Sequence, residues 1–282
     1  MKMLIVFCLM LTVTAKAETL VSAIHSIEVD PSGRDHFIKL ESGEVVFIDD
    51  VQTLNDIEFS AKDAKKIEFH LDQNDQVVYW NSVPEDFDFR ADVTPVANFT
   101  VSPDFKPSVV RGEATVAGMF ATMRTDTKRR AECFHRAYIW AHEEYKRSGR
   151  LLAKHFLFFT RKYIRENRYK WWFHVAPSAL FVNEQGQEDF LVLDRSYGKK
   201  PLPVKEWTDQ FVSTKRSCPV VYKYSHYNNH QESEDCYLIP SPTYYLQPLD
   251  IENFEKTGIE KKSFQPGDLN ISYRRGFRGS PL

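Results

Sequence analysis

The chain has 282 residues, of which 42% are apolar, 27% charged and 14% aromatic. That is the composition of a folded globular protein, and it excludes a disordered, collagen-like or multi-span membrane chain. Lys and Arg number 37 against 39 Asp and Glu, so no whole-molecule field argues for nucleic acid as a partner.

The chain opens on Met1-Lys2-Met3, an apolar run over residues 4–13, and Ala15-Lys16-Ala17. A basic start, a short apolar stretch and an A-x-A ending predict a cleaved secretory signal over residues 1–17, cut after Ala17. The run falls short of the roughly 20 residues that span a bilayer; a short buried helix is the alternative reading. Loss of Lys2 and Lys16 leaves 35 basic residues against 39 acidic ones. The mature protein is expected to be secreted or periplasmic, with no stable membrane association.

Residues 18–82 read as a β-rich N-terminal region, with strand-like runs at 21–29, 36–40, 44–48, 67–71 and 76–80. Turns rich in Asp, Pro, Ser, Gly and Asn separate them. Residues 83–113 carry Pro84, Pro95, Pro103 and Pro107 with little periodicity, and read as a linker or wrapping segment. Asn98-Phe99-Thr100 fits a glycosylation sequon.

From residue 114 the pattern changes to that of a second domain, 114–282. A helix is predicted over 113–124. Thr125-Asp126-Thr127 offers caps for another that runs to Ser148, with Gly149 as its stop. Phe134, Ala137, Tyr138, Ala141 and Tyr145 form one apolar stripe along it. Strand-like runs follow at 155–160, 171–182 and 190–193, the last two joined by a turn around Gly186. The layout is α+β. A tail from about residue 240 ends in basic Arg274, Arg275 and Arg278.

After signal cleavage, Cys133, Cys218 and Cys236 remain, an odd number for an oxidising compartment. Cys218 and Cys236 are expected to pair. A zinc set with His226 and His230 is the competing reading, although the spacing is not that of a familiar finger. Cys133 is left as a free thiol near a helix start, where the dipole and Lys128, Arg129, Arg130 and Arg136 favour the thiolate. A buried, inert cysteine is the plainer reading of that residue alone. His174 lies inside the aromatic-apolar run Trp171-Trp172-Phe173-His174-Val175-Ala176. Asp194 ends the next strand, Phe190-Leu191-Val192-Leu193-Asp194, close to opposite His174. A nucleophilic thiol needs a base within hydrogen-bond reach, and the base needs a group that holds its tautomer.

The segments Glu132-Cys133-Phe134-His135-Arg136-Ala137, Phe173-His174-Val175-Ala176 and Leu193-Asp194-Arg195-Ser196 together resemble the bacterial protein-glutaminase family. These are secreted protein-glutamine deamidases. The resemblance covers about residues 115–210. It implies a fold related to transglutaminases and papain-like cysteine proteases, in which a helix bearing Cys packs on an antiparallel sheet bearing His and Asp. It also implies a hydrolase that converts protein-bound glutamine to glutamate and releases ammonia through a thioester. Cys133 would be the nucleophile, His174 the base and acid, and Asp194 the orienting group. No cofactor or metal is called for, the partners are proteins with accessible glutamine, and a monomer is expected. Arg195 departs from the family, which usually has Pro after its Asp. Family members are often made with an N-terminal pro-region, so residues 18–82 are a pro-region or an accessory domain. The same three residues would serve a transglutaminase or a cysteine peptidase, and a non-catalytic exported binding protein is the reading from a different class.

From Arg124 to Lys170 there are 14 Lys and Arg against 5 Asp and Glu. Arg161, Lys162, Arg165, Arg168 and Lys170 are a candidate docking face for acidic proteins or, more plainly, a solvated surface. Trp171, Trp172 and Phe173 are candidates for a substrate groove, with one or two of them in the core. His135 and His142 carry no assigned role.

Overall fold

The computed structural model describes residues 18–29, 36–63, 66–72, 76–83, 102, 105–182 and 188–279. The signal-peptide expectation, the sequon and the turn around Gly186 lie outside the described residues. The chain divides into two compact units, one of residues 1–41 and 46–88, the other of residues 42–45 and 89–282.

The first unit holds two three-stranded antiparallel sheets. Strands β1 (Glu18–Ser22), β5 (Lys66–Leu71) and β6 (Val77–Val83) form one in the order β1-β5-β6. Strands β2 (Ile24–Glu28), β3 (His36–Leu40) and β4 (Val45–Ile48) form the other in the order β2-β3-β4. Alternation along β5 turns Ile67, Phe69 and Leu71 inward to join Ile38, Leu40, Val46 and Ile48 in one core. One element departs from the all-β expectation. Residues 51–63 are helix α1 (Val51–Asp63), whose Leu54 and Ile57 close that core. Its start follows from Asp50, whose carboxylate accepts from the Thr53 backbone N–H at 2.8 Å.

The second unit is built on a sheet of order β11-β10-β9-β8-β12, from β8 (Ala153–Phe159), β9 (Phe173–Val182), β10 (Glu188–Val192), β11 (Leu202–Pro203) and β12 (Cys236–Pro242). Neighbours on that path run antiparallel. Strand β7 (Val109–Arg111) pairs in parallel with the far end of β9, so this stretch of the expected linker is part of the sheet. All seven residues of central β8 are buried, as a strand covered on both faces requires.

Helix α2 (Glu113–Thr122) and α3 (Cys133–Ser148) follow β7. Helix α3 begins six residues after Thr127, later than the cap residues predict. Asp126 is drawn away: its carboxylate takes Arg124 at 2.6 Å and the Gly279 backbone N–H at 2.8 Å. The stop is as expected, with Gly149 at φ 71° donating to the Tyr145 carbonyl at 2.8 Å. Phe134, Ala137, Tyr138 and Ala141 are buried, whereas Tyr145 at the last turn is exposed. The basic stretch after β8 forms α4 (Arg161–Asn167), α5 (Val204–Thr208) and α6 (Tyr224–Asn229) stand between β11 and β12, and the tail from about residue 240 supplies α7 (Pro248–Thr257) and α8 (Pro266–Gly276). Helix α3 packs between β9 and α8, and Ile139, Trp140, Ala179, Leu193, Tyr273 and Phe277 share one buried cluster. No helix among the described residues is long and apolar enough to cross a membrane.

Candidate active site

Cys133 is the first residue of α3 and a free, partly exposed thiol. The residue before it, Glu132, makes no capping bond with its side chain, so the opening N–H groups of the helix are not taken by a side-chain cap. Buried His174 is the second residue of β9. The β9–β10 register places Val192 opposite Ser178; continued past the strand end, it sets Asp194 diagonal to His174. The structure therefore brings Cys133, His174 and Asp194 together.

The His174 Nε2–H donates to Asp194 Oδ2 at 2.6 Å, which leaves Nδ1 as the other ring nitrogen, and the Cys133 thiol acts on the same ring. Burial alone would lower the His174 pKa. The Asp194 charge and hydrogen bond, with the thiol, outweigh it and raise the value to about 9. Burial likewise works against the Asp194 carboxylate, but the His174 ring, an indole N–H and the Arg136 charge hold it below its ordinary value. Further donors fill its lone pairs: Trp207 Nε1–H reaches Oδ2 at 3.0 Å and the Ser196 backbone N–H reaches Oδ1 at 3.1 Å.

Aromatic rings enclose the imidazole. Phe211, Tyr197, Trp207 and Trp171 lie with their centroids 4.6, 5.1, 5.7 and 5.9 Å from it. Trp172 and Phe173 are core residues, while Trp171 remains partly exposed, stacked on His174. The three-aromatic run thus divides as the sequence requires. Tyr197 is 44% exposed and forms an outer wall. Gly198 closes the turn after Asp194, where its N–H donates to the Asp194 carbonyl at 2.8 Å. A Cβ at Gly198 would stand 3.0 Å from the Lys200 carbonyl and 3.1 Å from that of Asp194, so the turn would have to give by a few tenths of an ångström to admit one. Arg136, one turn after Cys133, donates to the Ala131 carbonyl and fastens the stretch leading into the helix. Trp207, Tyr197 and Phe211 escape a reading of the sequence, whereas Arg136 is marked there as a charge beside the thiol. None of the three rings stands in a local pattern that marks it, since each reaches the site through a loop or helix turn.

Residues 119–211 match the family model described as glutaminase. Over that span, about a third of the chain, it is similar to the glutaminase family. Solved structures similar to it include a crystal structure of pro-protein-glutaminase (10% identity, 91% of this chain and 92% of that one, TM-score 0.49). A mutant of pro-protein-glutaminase gives 13% identity over 95% and 97% of the two chains, TM-score 0.49. The solution structure of protein-glutaminase from Chryseobacterium proteolyticum gives 15% identity over 59% and 86%, TM-score 0.39. No curated protein matches the chain.

The matched span contains all three residues of the constellation. Arg195, where the family usually has Pro, lays its guanidinium over the Phe120 ring at 4.8 Å, and the turn after Asp194 is held instead by Ser196 and Gly198. Cys218 and Cys236 form a disulfide, so the zinc reading with His226 and His230 has no thiolates to use; those rings stack on each other at 4.2 Å. Cations of the α4 stretch are consumed within the chain: Arg161 and Arg165 meet Glu232 at 2.7 and 3.0 Å, and Lys162 meets Asp235 at 3.3 Å. His135 is buried against Ser272, its Nδ1 at 2.9 Å from the hydroxyl, and burial with neighbouring cations lowers its pKa to about 3. It is a neutral packing residue. His142 packs edge-on against Phe264.

Proposed function

We propose that this chain is a secreted, cysteine-dependent amidohydrolase of the glutaminase family that deamidates protein-bound glutamine to glutamate and releases ammonia. The observation that carries the reading is the convergence of a free Cys133 at a helix start, a buried His174 and a fully bonded Asp194. In the first half-reaction Cys133 Sγ, as thiolate, attacks the glutamine Cδ. The oxyanion that forms is met by helix-start N–H groups, that of Cys133 included. His174, protonated at neutral pH, gives its Nδ1 proton to the departing nitrogen, the C–N bond breaks and ammonia leaves a thioester. Water then attacks the thioester carbonyl, His174 Nδ1 takes its proton, and the C–S bond breaks to give glutamate and the free thiol. Asp194 keeps the imidazole in one tautomer throughout. These steps use only side chains and backbone of the chain.

Residues 18–82 are read as a pro-region or accessory domain, and residues 1–17 as the signal that directs export. The test is ammonia release from casein by protein beginning at residue 18, with and without limited proteolysis, beside Cys133→Ala and in parallel with a primary amine. Ammonia that depends on Cys133, with no amine incorporated, is the expected result. Amine incorporation would turn the reading to a transglutaminase. No ammonia before or after proteolysis, together with an unreactive thiol, would remove the enzymatic reading. Ammonia only after proteolysis assigns the pro-region, and equal release assigns an accessory domain.

A further inference from the structure

Arg136 is a charged group near the triad to which the proposed chemistry gives no task. It stands three residues after Cys133 on α3 and is half-buried. Its Nη1 donates back to the carbonyl of Ala131, two residues before the nucleophile. The stretch it holds is pinned from the other end too. The Ala131 N–H donates to the Lys128 carbonyl at 3.2 Å, and the Lys128 N–H to the Gly276 carbonyl at 2.9 Å.

The Nε of Arg136 is buried with no hydrogen-bond partner, and among the described residues its guanidinium forms no ion pair. The acid nearest in sequence, Glu132, turns instead to His135 at 3.8 Å and Arg275 at 3.9 Å. Burying a guanidinium N–H with no acceptor costs free energy that an apolar side chain of similar length would not incur. A helix staple alone does not account for a cation kept at that cost. Its charge acts on Asp194 and on Tyr197 and favours the ionised form of each. The other titratable groups around Asp194 are His174 and, across the imidazole, Cys133. Both change charge in the proposed turnover, whereas an arginine stays positive throughout.

We infer that Arg136 is a positioning residue for the reaction at Cys133: its guanidinium pins the peptide that leads into the nucleophile and sets a permanent positive charge within electrostatic reach of Asp194. The Ala131 carbonyl shares its peptide with the Glu132 N–H. Holding it fixes the direction from which the chain brings the Cys133 N–H to the oxyanion. This role rests on the proposed deamidation of protein glutamine.

The test pairs two measurements on the full chain, with Arg136→Ala and Arg136→Lys beside the unaltered protein. In the first, ammonia release from a glutamine peptide is followed across pH. Arg136→Ala is expected to lose about 100-fold in kcat with KM little changed. Its acid limb moves to higher pH, because a nearby cation holds a carboxylate ionised and its removal lets the proton return. Millimolar guanidinium restores part of the lost rate. Arg136→Lys keeps the acid limb in place but recovers only part of kcat, since lysine carries the charge without the planar fork. Should the alanine variant fail to fold, Arg136→Gln removes the charge and keeps the length. In the second measurement, the rate of iodoacetamide on Cys133 is followed across pH in the same proteins, which needs no turnover. An alkylation profile displaced by Arg136→Ala, with no ammonia from any protein, would leave the positioning role standing and sink the deamidation. Unchanged kcat in the alanine variant would overturn the role and leave the chemistry untouched. So would a loss of rate that tracks the urea midpoint alone, with the acid limb unmoved and no rescue by guanidinium.

Discussion

Asp194 is the residue on which the site turns, because it is buried and accepts from His174, Trp207 and Ser196 at once. Its pKa is lowered and that of His174 is raised to about 9. Each shift has a sign for stability. The lowered Asp194 contributes above its ordinary value and loses that contribution as pH falls through its folded-state value. The raised His174 contributes in full below its ordinary 6.5 and loses the contribution as pH rises through about 9. Asp194→Asn is therefore expected to destabilise the second unit by about 3 kcal/mol between roughly pH 4 and 6.5, with the penalty shrinking above pH 9. Urea midpoints at pH 6 and pH 10 check this. A penalty equal at both would mean that the charge coupling is not what the substitution removes. The same variant should move the alkaline limb of kcat/KM to lower pH, since the imidazolium loses its counter-charge.

At the scale of elements, the site depends on where α3 and β9 begin. The stripe of Phe134, Ala137, Tyr138 and Ala141 made α3 legible, as did Gly149 at its end. Its start was not, because Asp126 bonds to Arg124 and Gly279 instead of capping a helix. Helix α1 escaped notice because its buried face, among the described side chains, is Leu54 and Ile57, within a region that otherwise alternates. The Cys218–Cys236 bond joins the loop before α6 to the first residue of β12, the edge partner of β8, across 18 residues of chain. Its reduction is expected to cost about 3 kcal/mol. Unfolding with and without dithiothreitol, on a Cys133→Ala background that prevents thiol exchange, measures it. A shift below about 0.5 kcal/mol would place the bond's constraint in a part of the unfolded chain that is already ordered.

Over the whole molecule, each unit has a hydrophobic core of its own. Ile38, Leu54 and Phe69 belong to one, and Val116, Trp140 and Phe181 to the other. Units built this way unfold separately. Denaturation is expected to show two transitions, with disulfide reduction displacing only that of the second unit. A single transition moved as a whole by reduction would contradict this. Arg161, Lys162 and Arg165 of the second unit face Glu232 and Asp235.

The sequence alone singled out Cys133, His174 and Asp194, the α+β layout of the second unit and the Cys218–Cys236 pair. Periodicity is local, residue chemistry is intrinsic, and two of the three cysteines share one short stretch. The tertiary structure alone decided which aromatic rings enclose His174, that Trp207 completes the bonding of Asp194, and that the stretch around Lys128 meets the end of α8. Those contacts join residues far apart along the chain. They are selected by the packing of α3 between β9 and α8, for which no short stretch of sequence carries a signal.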